Sequence, residues 1–446
     1  MPVTFDLLLK GGAVATPAGI AVADIGVTGG RIRAIGDLSA ASAGEVVDAT
    51  GLHILPGVID TQVHFREPGL EQKEDLETGS RAAVMGGVTG VFEMPNTIPQ
   101  TTNPSALEDK IARGTNRMHC DFAFYVGGTH DNVKDLPELE RLPGAAGIKV
   151  FIGSSTGSLL VPDDDGVRNI LKVIRRRAAF HCEDEPRLQE RKSLRVPGDA
   201  SSHPVWRDEI AALTATRRLV NLARETGARV HVLHVTSAEE MDFLADARDV
   251  ASVEVTPHHL TMAAPECYER LGTLAQMNPP VREARHRDGL WAAIANGVVD
   301  VLGSDHAPHT LEEKSKPYPE SPSGMTGVQT LVPLMLDHVA AGRLTLERFI
   351  DLTSAGPARL FGIAGKGRIV VGYDADFTVV DLKRRATITN GWIASRAQWT
   401  PYDGKEVTGW PVGTFVRGRK VMWEGELTGP SAGQPIRFLE TLQPQG

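Results

Sequence analysis

The sequence predicts an α/β fold: a (β/α)8 barrel of the TIM type joined to a small β-sandwich domain built from both chain ends. Three observations carry this expectation. Short apolar segments alternate with helix-length stretches through the middle of the chain, and eight of them can be counted. Both ends read instead as glycine-broken hairpins with two-residue apolar alternation. Polar side chains able to bind a metal close several of the eight central segments. The expected boundaries are residues 1–53 with 364–446 for the β-sandwich, and 54–363 for the barrel.

The N-terminal hairpin texture runs through "FDLLLKGGAVAT", "IAVADIGVTGGRIRAIGD" and "EVVDATGLHILPG". It returns in "GKGRIVVGYDADFTVVDL" and "GTFVRGRKVMWEGE", which is why one domain is expected from both ends. Between them the barrel strands read "GVIDTQVHF", "GVTGVFEMPN", "CDFAFYVGG", "GIKVFIGSS", "RAAFHCEDE", "ARVHVLHVTS", "ASVEVTPHHL" and "VVDVLGSDHAPH". In a parallel barrel the strand ends and the loops after them converge on one face, so the polar endings share a rim. The stretch after the last strand, "HTLEEKSKPYPESPSGMTGV", reads either as a mobile substrate lid or as a surface loop.

Bulk properties narrow the function classes. The chain has 446 residues, 41% of them hydrophobic, enough for a large core. A net charge of -9 supplies no basic field for nucleic acid or an anionic membrane. The one dense basic run, "KVIRRRAAF", reads as a solvated helix end before a buried strand. The three cysteines, Cys120, Cys182 and Cys267, are scattered, with no CxxC, which fits a reducing compartment. There is no secretory pattern at the N-terminus and no long apolar run, so a cytoplasmic protein is expected.

The chemistry-bearing residues form one set. Gln62 and His64 are two apart and share a strand face. Lys149 lies inside a strand, where an unpaired ammonium is costly. His181, His234 and Asp305 each end a strand segment. Neutral imidazoles and carboxylates are what a divalent metal needs. Lysine cannot ligate as an ammonium, but once carbamylated by carbon dioxide it becomes a carboxylate able to bridge two metals. A salt bridge to a nearby acid is the structural alternative for Lys149. His231, three residues before His234, is expected on the opposite strand face in a structural role. Cys182 is expected to point away from the barrel axis, and His258 and His259 carry no assigned role.

The ordered motifs "HFREPG", "EMPNT", "GIKVFIGSSTG", "HCEDE", "HVLHVTSAEE", "MNPPVR" and "GSDHAPHT" resemble the amidohydrolase superfamily. Within it they are most similar to the dihydroorotases of the cyclic-amide hydrolase group, and the resemblance covers nearly the whole chain. It implies two zinc sites. His64 and Asp305 would bind the more buried metal, carbamylated Lys149 would bridge, and His181 with His234 would hold the second. Asp305 would also be the general acid/base, moving a proton from the attacking hydroxide to the leaving amide nitrogen. Arg66, Asn96 and His309 match positions that hold a substrate carboxylate, and Asn278 matches a pyrimidine-ring contact. Structural alternatives exist here too: an ion pair of Arg66 with Glu67 or Glu93, a turn role for Asn96, and loop stabilisation by His309.

Gln62 departs from the family pattern, which has histidine there. A neutral amide oxygen is a poor zinc ligand beside imidazole, so the metal count is one or two per chain. The resemblance implies reversible interconversion of dihydroorotate and N-carbamoyl-aspartate in pyrimidine biosynthesis. Its alternatives are an allantoinase- or hydantoinase-type cyclic amide hydrolase, or a catalytically silent homologue that scaffolds aspartate transcarbamoylase. A homodimer is a family-level expectation.

Overall fold

The computed structural model describes residues 4–155 and 159–442. Five strands come first: β1 (Thr4–Thr16), β2 (Gly19–Thr28), β3 (Arg31–Gly36), β4 (Ser42–Asp48) and β5 (His53–Pro56). The central strands are β6 (Val58–Val63), β7 (Val88–Glu93), β8 (Asp121–Gly127), β9 (Ala145–Phe151), β10 (Ala178–His181), β11 (Val230–Val232), β12 (Ala251–Val255) and β13 (Val301–Leu302). The C-terminal strands are β14 (Phe377–Thr387), β15 (Glu406–Val416), β16 (Arg419–Trp423) and β17 (Glu426–Leu427).

β6 to β13 form one sheet in chain order, with parallel neighbours throughout. β13 returns to β6 through a parallel bridge of Val63 with His306 and a 2.7 Å bond from His64 N to His306 O. Asp60 Oδ1 adds a clasp across this seam by accepting from Ser304 N at 2.9 Å. The result is a nearly closed barrel with helices between its strands, as the eight apolar segments predict. The strand residues are buried on both faces, the pattern of a parallel sheet covered by helices.

Core membership separates the two faces of the strands. Val91, Phe122, Phe124, Ile148, Val150, Ala178 and Phe180 pack outward with the helices. Ile59, Phe92, Tyr125 and Ala179 pack instead with Phe361, Ile363, Ile436 and Phe438 in a second layer that fills the barrel. Lys149 lies between the outward Ile148 and Val150, and His181 follows the outward Phe180, so the two-residue period turns both inward.

β1 links the terminal sheet. Its first half pairs with β4 and its second with β5, while β2 runs along its other edge. The register shifts between Leu9 and Gly12. At Gly12 a Cβ would lie 2.7 Å from Ile54 Cδ1, so only glycine lets the strand turn this close to β5. β5 continues into β14, β15, β16 and β17, so both chain ends build one nine-stranded sheet. Leu9, Ile25, Ile54, Phe377, Val379 and Phe415 fill its core.

Two local expectations are corrected. The basic run is not a solvated helix end: Arg176 is buried, donates to Glu140 O and Ala145 O at 2.7 Å each, and stacks on Phe438. The carbonyls at a turn beneath the barrel capture the guanidinium. His231 does lie on the opposite parity from His234, but it is His231 that follows the inward face. Its Nδ1 is 2.8 Å from Ser252 Oγ and its ring meets Phe361 edge-on. His234 reaches the site because its φ of 36° turns the chain after β11.

No helix among the described residues is long and apolar enough to cross a membrane.

Candidate active site

Gln62, His64, Lys149, His181, His234 and Asp305 converge on one narrow cavity at the C-terminal ends of the barrel strands. Its volume is about 20 Å³, room for a water molecule or a bare ion. Phe151, Ser155, Asn278, Ala307, Ser323 and Gly324 complete the wall. Thr156 and Gly157, the end of the "GIKVFIGSSTG" motif, lie outside the described residues.

Backbone geometry marks this rim. Arg66, His234 and Asp305 have φ of 67°, 36° and 48°, a region that non-glycine residues seldom occupy. Each follows a barrel strand, and His234 and Asp305 line the cavity from these left-handed turns. Such conformations cost free energy and persist where the surroundings hold them.

His181 and His234 are the first pair. His181 Nδ1 lies 3.2 Å from His234 Nε2. The other ring nitrogen of His181, Nε2, is 2.8 Å from Glu183 Oε2. A carboxylate only accepts, so Nε2 carries the proton and Nδ1 presents a lone pair. Arg207 fixes Glu183 in turn through Nε at 3.0 Å and a second, shorter bond from Nη2. Despite complete burial, the Arg207 charge and the bond from His181 hold Glu183 down to about 2. Burial keeps both imidazoles below their ordinary pKa, hence neutral and able to ligate. Two nitrogens about 2.05 Å from a tetrahedral zinc would be roughly 3.3 Å apart, so the observed 3.2 Å suits a shared ion.

Lys149 is the third group at this end. Its Nζ is buried without a hydrogen-bond partner among the described residues, 4.4 Å from the Phe151 ring centroid. The salt-bridge alternative therefore does not describe it. Desolvation pushes its pKa down to about 7. Among the described residues no three His, Cys, Asp or Glu side chains form a complete ligand set. A metal on the His181–His234 pair would have Lys149 as its nearest further protein group, one that cannot ligate as an ammonium. An orphaned amine, two converging imidazoles and a cavity of ion size fit such a centre.

Asp305, His64 and Gln62 form the second group. Asp305 Oδ1 is 3.2 Å from His64 Nε2 and accepts a bond from Gln62 Nε2 at 3.0 Å. His64 Nδ1 is 2.8 Å from Asn96 Oδ1. The Gln62 Oε1 atom is buried with no partner.

Arg66, Asn96 and His309 stand one side chain behind the cavity wall. Arg66 Nε donates to Pro308 O at 3.2 Å, and its Nη2 is 3.4 Å from His309 Nε2. Glu93 pairs with Lys110, and Glu67 with Arg113 and Arg117, so neither neutralises Arg66. Lys73 Nζ, which only donates, sits 3.1 Å from His309 Nδ1. His309 Nε2 therefore carries the ring proton, which it gives to Ser323 O at 3.0 Å. Burial keeps His309 neutral, with a pKa of about 3.

The long segment after β13 supplies Ser323 and Gly324. Lys314 pins it by donating to Pro322 O at 2.9 Å. Gly324, at φ +146°, lies where a Cβ would come within 2.4 Å of Ala307 O, so a side chain there would force this wall outward.

Several contributors escape sequence reasoning. Glu183 and Arg207 orient His181 yet are 24 residues apart. His203, 75 residues from Asn278, fixes it with a 2.9 Å bond from Nε2 to Oδ1. "HCEDE" contains Glu183 two residues after His181, the one local signal available. His258 and His259 are structural: His258 Nδ1 meets Tyr402 OH at 2.9 Å, and His259 Nε2 meets Pro279 O at 3.1 Å.

Comparison with known proteins agrees with this architecture. The amidohydrolase family profile matches residues 53–421. A dihydroorotase of Methanothermobacter thermautotrophicus is 36% identical over 407 residues, covering 91% of this chain and 92% of that protein. An allantoinase of Deinococcus radiodurans is 32% identical, covering 97% and 99%. The solved structure of an L-hydantoinase from Arthrobacter aurescens superposes with a TM-score of 0.93 at 32% identity, covering 97% of this chain and 99% of that one. By its barrel, its rim chemistry and these matches, the chain belongs to the amidohydrolase family.

Proposed function

We propose that the protein is a dihydroorotase, hydrolysing the cyclic amide of dihydroorotate to N-carbamoyl-aspartate and closing it again, as a step of pyrimidine biosynthesis. The observation that carries this reading is the buried Arg66 guanidinium, which forms no ion pair among the described residues and stands beside His309 and Lys73. A guanidinium so placed suits a planar carboxylate. Dihydroorotate has one, whereas hydantoin and allantoin do not. Burial lowers the Arg66 pKa only to about 10, so it stays charged at neutral pH.

Lys149, His181 and His234 would hold a zinc ion, with Lys149 as the carbamate. At a pKa of about 7 roughly half of Lys149 is the free amine at neutral pH, the form that adds to carbon dioxide. When bound, the metal would acidify a water and polarise the amide carbonyl. The remaining work falls to side chains. Asp305 would take a proton from the attacking water and return it to the leaving nitrogen. Gln62 holds Oδ1 of that carboxylate in place. Arg66 and His309 would anchor the substrate carboxylate, which fixes the ring amide relative to Asp305. Asn278, steadied by His203, would face the ring.

The test is hydrolysis of dihydroorotate, hydantoin and allantoin by the purified protein and by Arg66→Met. Dihydroorotate should be turned over well ahead of the two neutral rings. Arg66→Met should lower kcat/KM for dihydroorotate by roughly 10–100-fold, the loss of a charged hydrogen-bonding pair. Its effect on any hydantoin turnover should be small. Preference for allantoin or hydantoin would instead establish a hydantoinase- or allantoinase-type enzyme.

A further inference from the structure

We infer that Gln62 closes the more buried metal position, so that this chain works with one metal, held at the Lys149, His181 and His234 end. The inference rests on the metal-dependent amide hydrolysis proposed above and concerns how many ions that site holds.

Three facts carry it. The Gln62 amide nitrogen faces Asp305 Oδ1 at 3.0 Å, so the carboxylate oxygen that a first metal would claim already accepts an N–H. The amide oxygen, the only atom of Gln62 able to ligate, is not the atom that meets Asp305 and has no hydrogen-bond partner among the described residues. Donor and ligand roles exclude each other: presenting Oε1 to an ion beside Asp305 would require turning the amide over and losing the existing bond. His64 Nε2 and Asp305 Oδ1 are 3.2 Å apart, a spacing an ion could span, but the third member of the set is a donor. Histidine at this position would offer a lone pair where glutamine offers hydrogen.

At the other end no carboxylate oxygen is occupied by an amide N–H. His181 Nδ1 presents a lone pair because Nε2 gives its proton to Glu183, it meets only His234 Nε2 at 3.2 Å, and Lys149 Nζ has no hydrogen-bond partner among the described residues. The two halves of one cavity thus differ: at one the Asp305 oxygen already accepts an amide N–H, and at the other the Lys149 amine has no hydrogen-bond partner among the described residues.

Gln62 then becomes a positioning residue. In a two-metal site an ion would fix the Asp305 carboxylate; here the amide N–H does. The carboxylate keeps its orientation without being bound to an ion, which leaves it free to carry a proton.

The experiment is metal analysis of protein purified with excess zinc and bicarbonate, then desalted. The wild type should hold one zinc per chain, and Gln62→His should approach two. Manganese-loaded wild type should give the electron paramagnetic resonance signal of an isolated ion, and Gln62→His that of a coupled pair. Gln62→Leu should keep one metal and bind substrate with little change in KM, while kcat falls roughly 10-fold or more. Two zinc ions per wild-type chain would overturn the inference, as would Gln62→His staying at one. An unchanged kcat in Gln62→Leu would remove the positioning role. These readings count ions, so they stand apart from the substrate panel: one metal without dihydroorotate turnover would refute the proposed substrate and leave this inference intact.

Discussion

Lys149→Met should abolish metal binding and turnover and at the same time stabilise the metal-free protein. Both effects follow from one observation, a buried amine at the cavity with no hydrogen-bond partner. As a structural residue Lys149 is a net cost, since an unpaired buried polar group is unfavourable by about 1–3 kcal/mol. The Phe151 ring at 4.4 Å returns only part of this, about 0.5–2 kcal/mol and only while the lysine is charged. Methionine has similar length and no group to desolvate, so the melting temperature should rise by about 1–3 °C. Losing the third ligand removes the metal and its contribution of several kcal/mol, which lowers kcat/KM by roughly 10³-fold or more. Stability against pH gives the signature. The folded-state pKa is about 7 against an ordinary 10.5, so above pH 7 the unfolded chain binds a proton that the folded chain lacks. In carbon-dioxide-free, metal-free buffer the contribution of Lys149 to stability should therefore rise between about pH 7 and pH 10.5 and be flat below. Lys149→Met should lack that slope. A variant that unfolds more readily and keeps its metal would show a structural lysine instead.

Asp305→Asn should remove the proposed proton carrier while leaving the architecture in place. Asparagine tolerates the φ of 48° found at this position. Its Oδ1 can still accept from Gln62 Nε2, so the bond across the barrel mouth survives. What is lost is basicity, and general acid–base catalysis contributes about 10²–10⁴-fold. The expected result is a kcat lower by that factor, with an unchanged melting temperature and KM within about threefold. Retention of more than a tenth of the wild-type kcat would assign the proton transfer to another group.

The barrel was legible because its strands are short, apolar and evenly spaced, and because the two-residue period sends Lys149 and His181 inward. The split terminal sheet was legible from hairpin texture at both ends. Local backbone turns were not. His234 reaches the cavity through a left-handed residue after β11, and nothing in "VHVLH" signals that turn, so the sequence does not show that His231 follows the inward face. The partners that orient the site were hidden for a different reason. Arg207 beneath Glu183, His203 beneath Asn278 and Lys73 beneath His309 come from other loops, brought in by the closure of the barrel. Gln62 was visible as a departure, but only the structure shows its amide hydrogen, rather than its oxygen, turned to Asp305.

The most direct measurement of the central claim is dihydroorotate turnover through a cycle of chelation and zinc readdition, with metal content followed at each stage. The account predicts turnover that vanishes as the metal is removed and returns when zinc is restored in the presence of bicarbonate. Undiminished turnover by protein shown to be metal-free would contradict it.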